Sequence, residues 1–272
     1  MEMLQFDFIQ RAISAGLAIS LITPILGLIL ILRRQSLMAD TLSHISLAGV
    51  ALGTFYHLKP TLSTLLVVVL ASIIIEYLRL EYVNFTEISI AMMMATGMAF
   101  ALILVSLNSN SGNFRIEQYL FGSIILVSQE GVQLLWGLAI ILVILYVVFR
   151  KPLYVITFDE ATAYTLGLPV KWISLFFSVI TGVTISIMMP IVGALLVSAL
   201  IVIPSATAIR ISKNFHQAIL IGIMINVLGI ISGIAISFYH DTPPGATITL
   251  IFMAIFILTL FISTLKKLNR HE

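Results

Sequence analysis

The chain has 272 residues, 60% of them apolar and 10% charged, with a formal net charge of +2 and no cysteine. Soluble domains carry about 25% charged residues, so this composition excludes an ordinary water-soluble enzyme and reads as an integral membrane protein. The missing cysteine also excludes disulfides, thiolate metal sites and cysteine nucleophiles.

A helix needs about 20 apolar residues to cross about 30 Å of hydrocarbon. Such runs fall at residues 12–32, 36–57, 61–79, 87–107, 131–149, 172–189, 191–209, 216–238 and 246–265. The first is too long for a cleavable signal, and Arg33 and Arg34 follow it where a signal has basic residues in front. It therefore reads as a retained span. No soluble insert of domain size interrupts the series, so residues 1–272 read as a single all-α, polytopic transmembrane domain.

Nine crossings put the termini on opposite sides of the membrane. With the C-terminus in the cytoplasm, Arg33, Arg34, Arg79, Arg150, Lys151, Lys171, Arg210, Lys213, Lys266, Lys267 and Arg270 lie inside, and only Arg11, Lys59 and Arg115 outside. That bias sets the orientation. The count of spans turns on residues 172–209, too long for one crossing but with only Met189-Pro190 and Gly193 to mark a break. Proline alone would kink one helix rather than end it. Two spans place both flanking basic loops in the cytoplasm, while an eight-span reading stays open.

Two connections are long. Residues 108–130 face outside and enclose the apolar piece Tyr119–Val127, nine residues that are too few to span as a helix and are expected to be re-entrant or interfacial. Residues 150–171 are cytoplasmic and contain Thr157-Phe158-Asp159-Glu160, which fits a capping box with Thr157 as N-cap and Glu160 at the third helical position. Gly167 and Pro169 supply stop signals. The expected product is a helix of about two turns, either an ordinary connector or a docking element for a cytoplasmic partner.

Asp40 and His44 are the ionisable pair inside a span. Four residues apart, they share one helical face, and a carboxylate beside an imidazole suits a divalent cation. The competing explanation makes Asp40 an N-cap and His44 an interhelical hydrogen-bonding residue. Ser36 is itself a good cap, however, and a helical wheel sets Gly49 and Gly53 opposite the pair. Those glycines are expected to pack on one neighbour while the polar pair faces a pathway. Two ligands do not complete a zinc tetrahedron; either other groups contribute or the site is weak, as a site that must release its ion has to be.

Other candidates are weaker. Met92, Met93 and Met94 point to different faces of a helix and read as core or lipid-facing. His240 and Asp241 lie in an outside turn where solvation is the default. Glu87 complements its helix dipole, and Glu76 and Arg79 are spaced to pair with each other. His57, His216 and His271 carry no assigned chemistry. The signatures His-Glu-x-x-His, Gly-x-Ser-x-Gly and Gly-x-x-x-x-Gly-Lys-Ser/Thr are all absent, so any ATP-driven work must be done by another chain.

Three stretches resemble the membrane permeases of bacterial ATP-binding-cassette importers for zinc, manganese and iron. They are Arg33-Arg-Gln-Ser-Leu-Met-Ala-Asp-Thr-Leu-Ser-His44, Phe158-Asp-Glu-Ala-Thr-Ala-Tyr-Thr-Leu-Gly167, and residues 192–208 together with Tyr119–Ser123 and the Asp241-Thr-Pro-x-Gly245 turn. The resemblance implies a type II importer permease fold of 8–9 transmembrane helices in the bacterial cytoplasmic membrane. It implies a homodimer with a cytoplasmic ATPase dimer, and an extracytoplasmic metal-binding protein that delivers the ion. No cofactor is held permanently; the divalent metal is cargo, zinc by closest likeness and manganese or iron otherwise. Nucleic acid has no part. Metal-pathway roles carry over to Asp40 and His44, and ATPase coupling to Phe158, Asp159, Glu160, Ala161 and Gly167. His240 and Asp241 remain weak metal candidates. From a different class, a stand-alone carrier driven by protons through the same pair is the rival reading.

Overall fold

The computed structural model describes residues 2–81, 86–107, 119, 120, 122 and 124–268. Among them the regular structure is helical throughout: α1 (Asp7–Leu32), α2 (Leu37–Phe55), α3 (Pro60–Glu81), α4 (Thr86–Leu107), α5 (Gln129–Phe158), α6 (Glu160–Thr165), α7 (Val170–Val192), α8 (Ala194–Ile211), α9 (Phe215–His240) and α10 (Pro244–Leu268), with short 3-10 turns at Glu2–Gln5 and Ile124–Leu126. Eight helices, all but α2 and α6, are long and apolar enough to cross a membrane. At 19 residues α2 also has spanning length, but Asp40, His44 and its hydroxyls lower its hydropathy. Burial compensates: 13 of its residues, from Met38 to Gly53, are buried. A helix walled in by other helices need not present a lipophilic surface all round.

The break inside residues 172–209 falls at Gly193, between α7 and α8. Pro190 sits within α7 and does not end it. Gly193 has φ 88° and ψ 151°, a region open in practice only to glycine, and that conformation stops the helix.

The chain forms two compact units. The first comprises Met1–Ile31, Ser123–Val143 and Ala199–Glu272. In it α9 packs on α10, with Gly229 against the ring of Phe252 and Gly233 against Ile248. Asn226, fully buried, donates to Thr23 Oγ1 at 3.1 Å and to the Leu200 carbonyl at 3.5 Å. The second unit comprises Leu32–Gly122 and Ile144–Ser198. Here α2 packs on α3, α4 and α7, and α3 packs on α7.

The glycines of α2 explain the α2–α3 contact. A Cβ added at Gly49 would lie 2.5 Å from Thr64 Cα, and one at Gly53 would lie 2.9 Å from Pro60 Cα. The Ser63 hydroxyl donates to the Gly49 carbonyl at 2.8 Å. Small residues let the two backbones touch, the usual way helices associate where apolar burial gives no preference over lipid.

Candidate functional site

On the face of α2 away from that contact stand Asp40 and His44. His44 Nε2 lies 3.6 Å from Asp40 Oδ1, with 14% of the imidazole and 36% of the carboxylate side chain exposed. Asp40 is one turn inside the helix, not its cap: the N-cap position belongs to Ser36, whose side chain makes no capping bond. His44 Nδ1 is buried without a hydrogen-bond partner. The pair therefore keeps unused ligand capacity on one partly open face. Among the described residues no three His, Cys, Asp or Glu side chains converge as a metal site, so two protein ligands are what this chain brings together here.

A second polar constellation lies in the same unit, built from four parts of the sequence. Glu76, on α3, is fully buried; it accepts from Arg79 Nε at 3.0 Å, from Arg79 Nη2 at 2.8 Å and from the Ser178 hydroxyl at 2.7 Å. Arg33, just past α1, has 3% of its side chain exposed. Its Nη2 donates to Glu160 at 2.8 Å and to Ser174 at 2.7 Å, lies 3.9 Å from Glu76, and the guanidinium sits over the Phe177 ring at 5.9 Å. Arg79 Nη1 reaches Glu160 at 3.0 Å. Two guanidiniums and two carboxylates balance in charge, as buried ions must.

Burial pushes the Glu160 carboxyl up, but the charge of Arg79 and the hydrogen bond and charge of Arg33 outweigh it and hold the group below its ordinary value. Burial and the like charge of Arg79 lower the Arg33 guanidinium, against the pull of Glu76 and Glu160.

Glu160 opens α6, a helix of six residues. The capping box expected at Thr157 does not form. Thr157 is still inside α5, where its hydroxyl donates to the Leu153 carbonyl at 2.6 Å. Asp159 is the N-cap instead, accepting from the Thr162 amide at 3.0 Å and from the Thr162 hydroxyl. Those bonds hold the exposed Asp159 carboxyl below its usual value. The reason for the shift is that α5 runs on for 30 residues, past Pro152, and consumes Thr157 before a new helix can start. At the other end Gly167, with φ 76°, lets its own amide bond Tyr164 and the Leu168 amide bond Ala163, the Schellman closure. Ala163 packs with Ile156 and Val170 beneath the helix. Phe158 at the end of α5, Tyr164 in α6 and Leu166 at its C-cap are 57%, 70% and 65% exposed, and Ala161 is exposed as well.

The remaining candidates separate. His240 and Asp241 are exposed, and Asp241 adopts a left-handed conformation at φ 49° to close α9. Its amide bonds the Ser237 carbonyl, so the geometry there is that of a helix end. In Tyr119–Ser123, Phe121 and Ser123 lie outside the described residues, as do residues 108–118. Gly122, with φ 56°, rests directly on the backbone of Val192 and Gly193, where any Cβ would collide. Ile124 beside it is buried.

Residues 5–263 match the ABC 3 transport family. The chain belongs to that family. The ABC 3 member is 26% identical to the manganese import system permease protein ScaB of Streptococcus parasanguinis, over 98% of this chain and 95% of that protein. It is 27% identical to the high-affinity zinc uptake system membrane protein ZnuB of Haemophilus influenzae, over 94% and 98% respectively. Among solved structures, PsaBC from Streptococcus pneumoniae in complex with Fab is similar at TM-score 0.83 and 26% identity, covering 96% of this chain and 93% of that one. The expected all-α, polytopic permease fold is thus shown.

In this ABC 3 transport family protein the Arg33–Glu76–Arg79–Glu160 cluster is the part that sequence reasoning missed beyond the Glu76–Arg79 pair. Two signals pointed to it. A carboxylate within an apolar run has to find cations, and Ser174 and Ser178, four residues apart, put two hydroxyls on one face of α7.

Proposed function

We propose that this protein is the transmembrane permease subunit of an ATP-driven importer of a divalent metal ion, located in the bacterial cytoplasmic membrane with its C-terminus inside. The observation that carries the reading is the Asp40–His44 pair, side by side at 3.6 Å and partly open on α2. A carboxylate and an imidazole inside an apolar helix, partly open and not consumed by a neighbouring helix, serve an ion path. Zinc and manganese relatives at 27% and 26% identity support a metal as cargo.

Zinc is the cargo proposed, on the likeness of Arg33-Arg34 and Asp241-Thr-Pro243 to the zinc permeases; manganese and iron are the competitors to test. Asp40 and His44 from each half of a symmetric dimer would make four ligands, the usual zinc number. ATP hydrolysis is assigned to a separate subunit, because 272 residues contain no phosphate-binding Gly-x-x-x-x-Gly-Lys-Ser/Thr motif. That subunit is expected to dock on Phe158, Ala161, Tyr164 and Leu166. An apolar surface of this kind on a non-spanning helix marks an interface. An extracytoplasmic binding protein delivers the ion on the other side.

The deciding experiment reconstitutes the protein in vesicles with its ATPase and binding protein and follows labelled zinc, manganese and iron. Zinc uptake that requires ATP and is lost in Asp40→Ala and His44→Ala is the expected outcome. Uptake that persists without the ATPase and collapses with the proton gradient would replace the importer with a secondary carrier.

A further inference from the structure

Resting on the importer reading, we propose that Glu160 and Arg33 form the link by which α6 sets the position of the α1–α2 turn, and through it the first turn of α2 with Asp40. Glu160 is a positioning residue in this scheme and not part of the docking surface. Although it begins α6, its carboxylate turns inward to Arg33 at 2.8 Å and Arg79 at 3.0 Å. Phe158, Tyr164 and Leu166 face outward. Residues 158–166 thus expose Phe158, Tyr164 and Leu166 beside Thr162 and Thr165 on one side and turn Glu160 toward the ion cluster on the other, so whatever displaces the outer side pulls on the inner.

Arg33 is the receiving end. It is held on three sides, by Glu160, by the Ser174 hydroxyl at 2.7 Å and by the Phe177 ring. Glu76, at 3.9 Å, is already satisfied by Arg79 and Ser178. If Glu160 leaves, no free carboxylate remains for the buried guanidinium, so following Glu160 is the less costly course. Arg33 cannot follow alone, because three residues later stands Ser36, the N-cap of α2.

The turn between them carries the mark of a second arrangement. Arg34 is at φ 58°. Gln35 is fully buried, yet neither its Nε2 nor its Oε1 has a hydrogen-bond partner. An unpaired buried amide persists only where its surroundings hold it in place. A turn with such a group at its centre can shift without breaking any hydrogen bond of the Gln35 side chain. The charged groups facing this cluster are Arg33, Glu76, Arg79 and Glu160, from α3, α6 and the end of α1.

The test uses the full complex in vesicles with zinc, manganese and iron as probes. In Glu160→Gln the ATPase is expected to remain bound and to hydrolyse ATP, while metal moved per ATP falls roughly tenfold, within the range reported for residues that carry coupling. Glu160→Asp is expected to restore most of it. The absence of cysteine allows one spin label at Leu37, the exposed first residue of α2; its spectrum should respond to ATP in the wild type and not in Glu160→Gln. Ser174→Ala keeps every charge and is expected to lower the transport-to-hydrolysis ratio in the same direction, which carries the test if Glu160→Gln does not fold. A wild-type ratio in either variant overturns the proposal, and so does loss of the ATPase from folded Glu160→Gln, which would make Glu160 a docking residue. A wild type that takes up no metal with ATP refutes the importer reading itself, and the link with it.

Discussion

Arg33 and Glu160 are 127 residues apart in the chain and 2.8 Å apart in space. One follows the first long helix and the other starts the shortest, and both meet at side chains of two further helices, Arg79 of α3 and Ser174 of α7. Held between packed helices, the cluster gains several charge-assisted hydrogen bonds that offset the burial of its charges.

Removing one member of such a cluster costs more than the pair contributes. Glu76→Ala leaves Arg33 and Arg79 sharing the half-exposed Glu160. The expected loss is about 3–5 kcal/mol, the usual effect of orphaning a buried charge, read by reversible unfolding in detergent or mixed micelles. A change below about 1 kcal/mol would mean that water reaches the site.

Acid should weaken the same contact. The folded Glu160 carboxyl titrates below its ordinary value of 4.5, so its contribution to stability is complete above that value and is lost as pH falls through the lower folded value. Thermal midpoints of wild type and Glu160→Gln should therefore lie furthest apart above the ordinary carboxyl value of 4.5 and converge only as the pH falls through the lower folded value. Parallel curves across that window would contradict the assignment.

Gly193→Ala tests the helix break. A backbone at φ 88° and ψ 151° resists a Cβ at a cost of about 1–3 kcal/mol. Destabilisation in that range is expected, measured as a fall in the thermal midpoint. Gly122→Ala should behave likewise, because its Cβ would enter the backbone of Val192 and Gly193.

On α6 the exposed side chains should affect assembly and leave the fold alone. Tyr164→Ala and Leu166→Ala remove groups that are 70% and 65% exposed, so stability should stay within about 0.5 kcal/mol of wild type. Co-purification of the ATPase subunit with the permease should drop. Undiminished binding in the double variant would place the docking surface elsewhere.

Much of this architecture was legible because lipid imposes simple demands. Apolar runs of spanning length located the nine long helices, and Gly193 marked the break even though Pro190 was the louder signal. The wheel that set Gly49 and Gly53 opposite Asp40 and His44 anticipated the contact with Thr64 and Pro60. Local hydrogen-bond competition was harder to read. Nothing in Thr157-Phe-Asp-Glu160 itself says that α5 will extend through Thr157, since that depends on the packing of α5 as a whole. Glu160 was legible only as a member of the segment after α5; its side-chain partners, Arg33 and Arg79, are connected to it by no spacing rule. Pairing across such distances is set by tertiary packing, and only the Glu76–Arg79 part of the cluster lies within one helical turn.

The backbone contact between α2 and α3 divides the two faces of α2 in a further way. At Gly49 and Gly53 a single added methyl would meet main chain, so that side of the helix has no room for variation and fixes the distance between the two axes. On the pathway role proposed for Asp40 and His44, a change of ion preference would have to be written on the opposite, partly open side of the helix. The zipped face acts as a ruler, and the open face is where the reading can be changed.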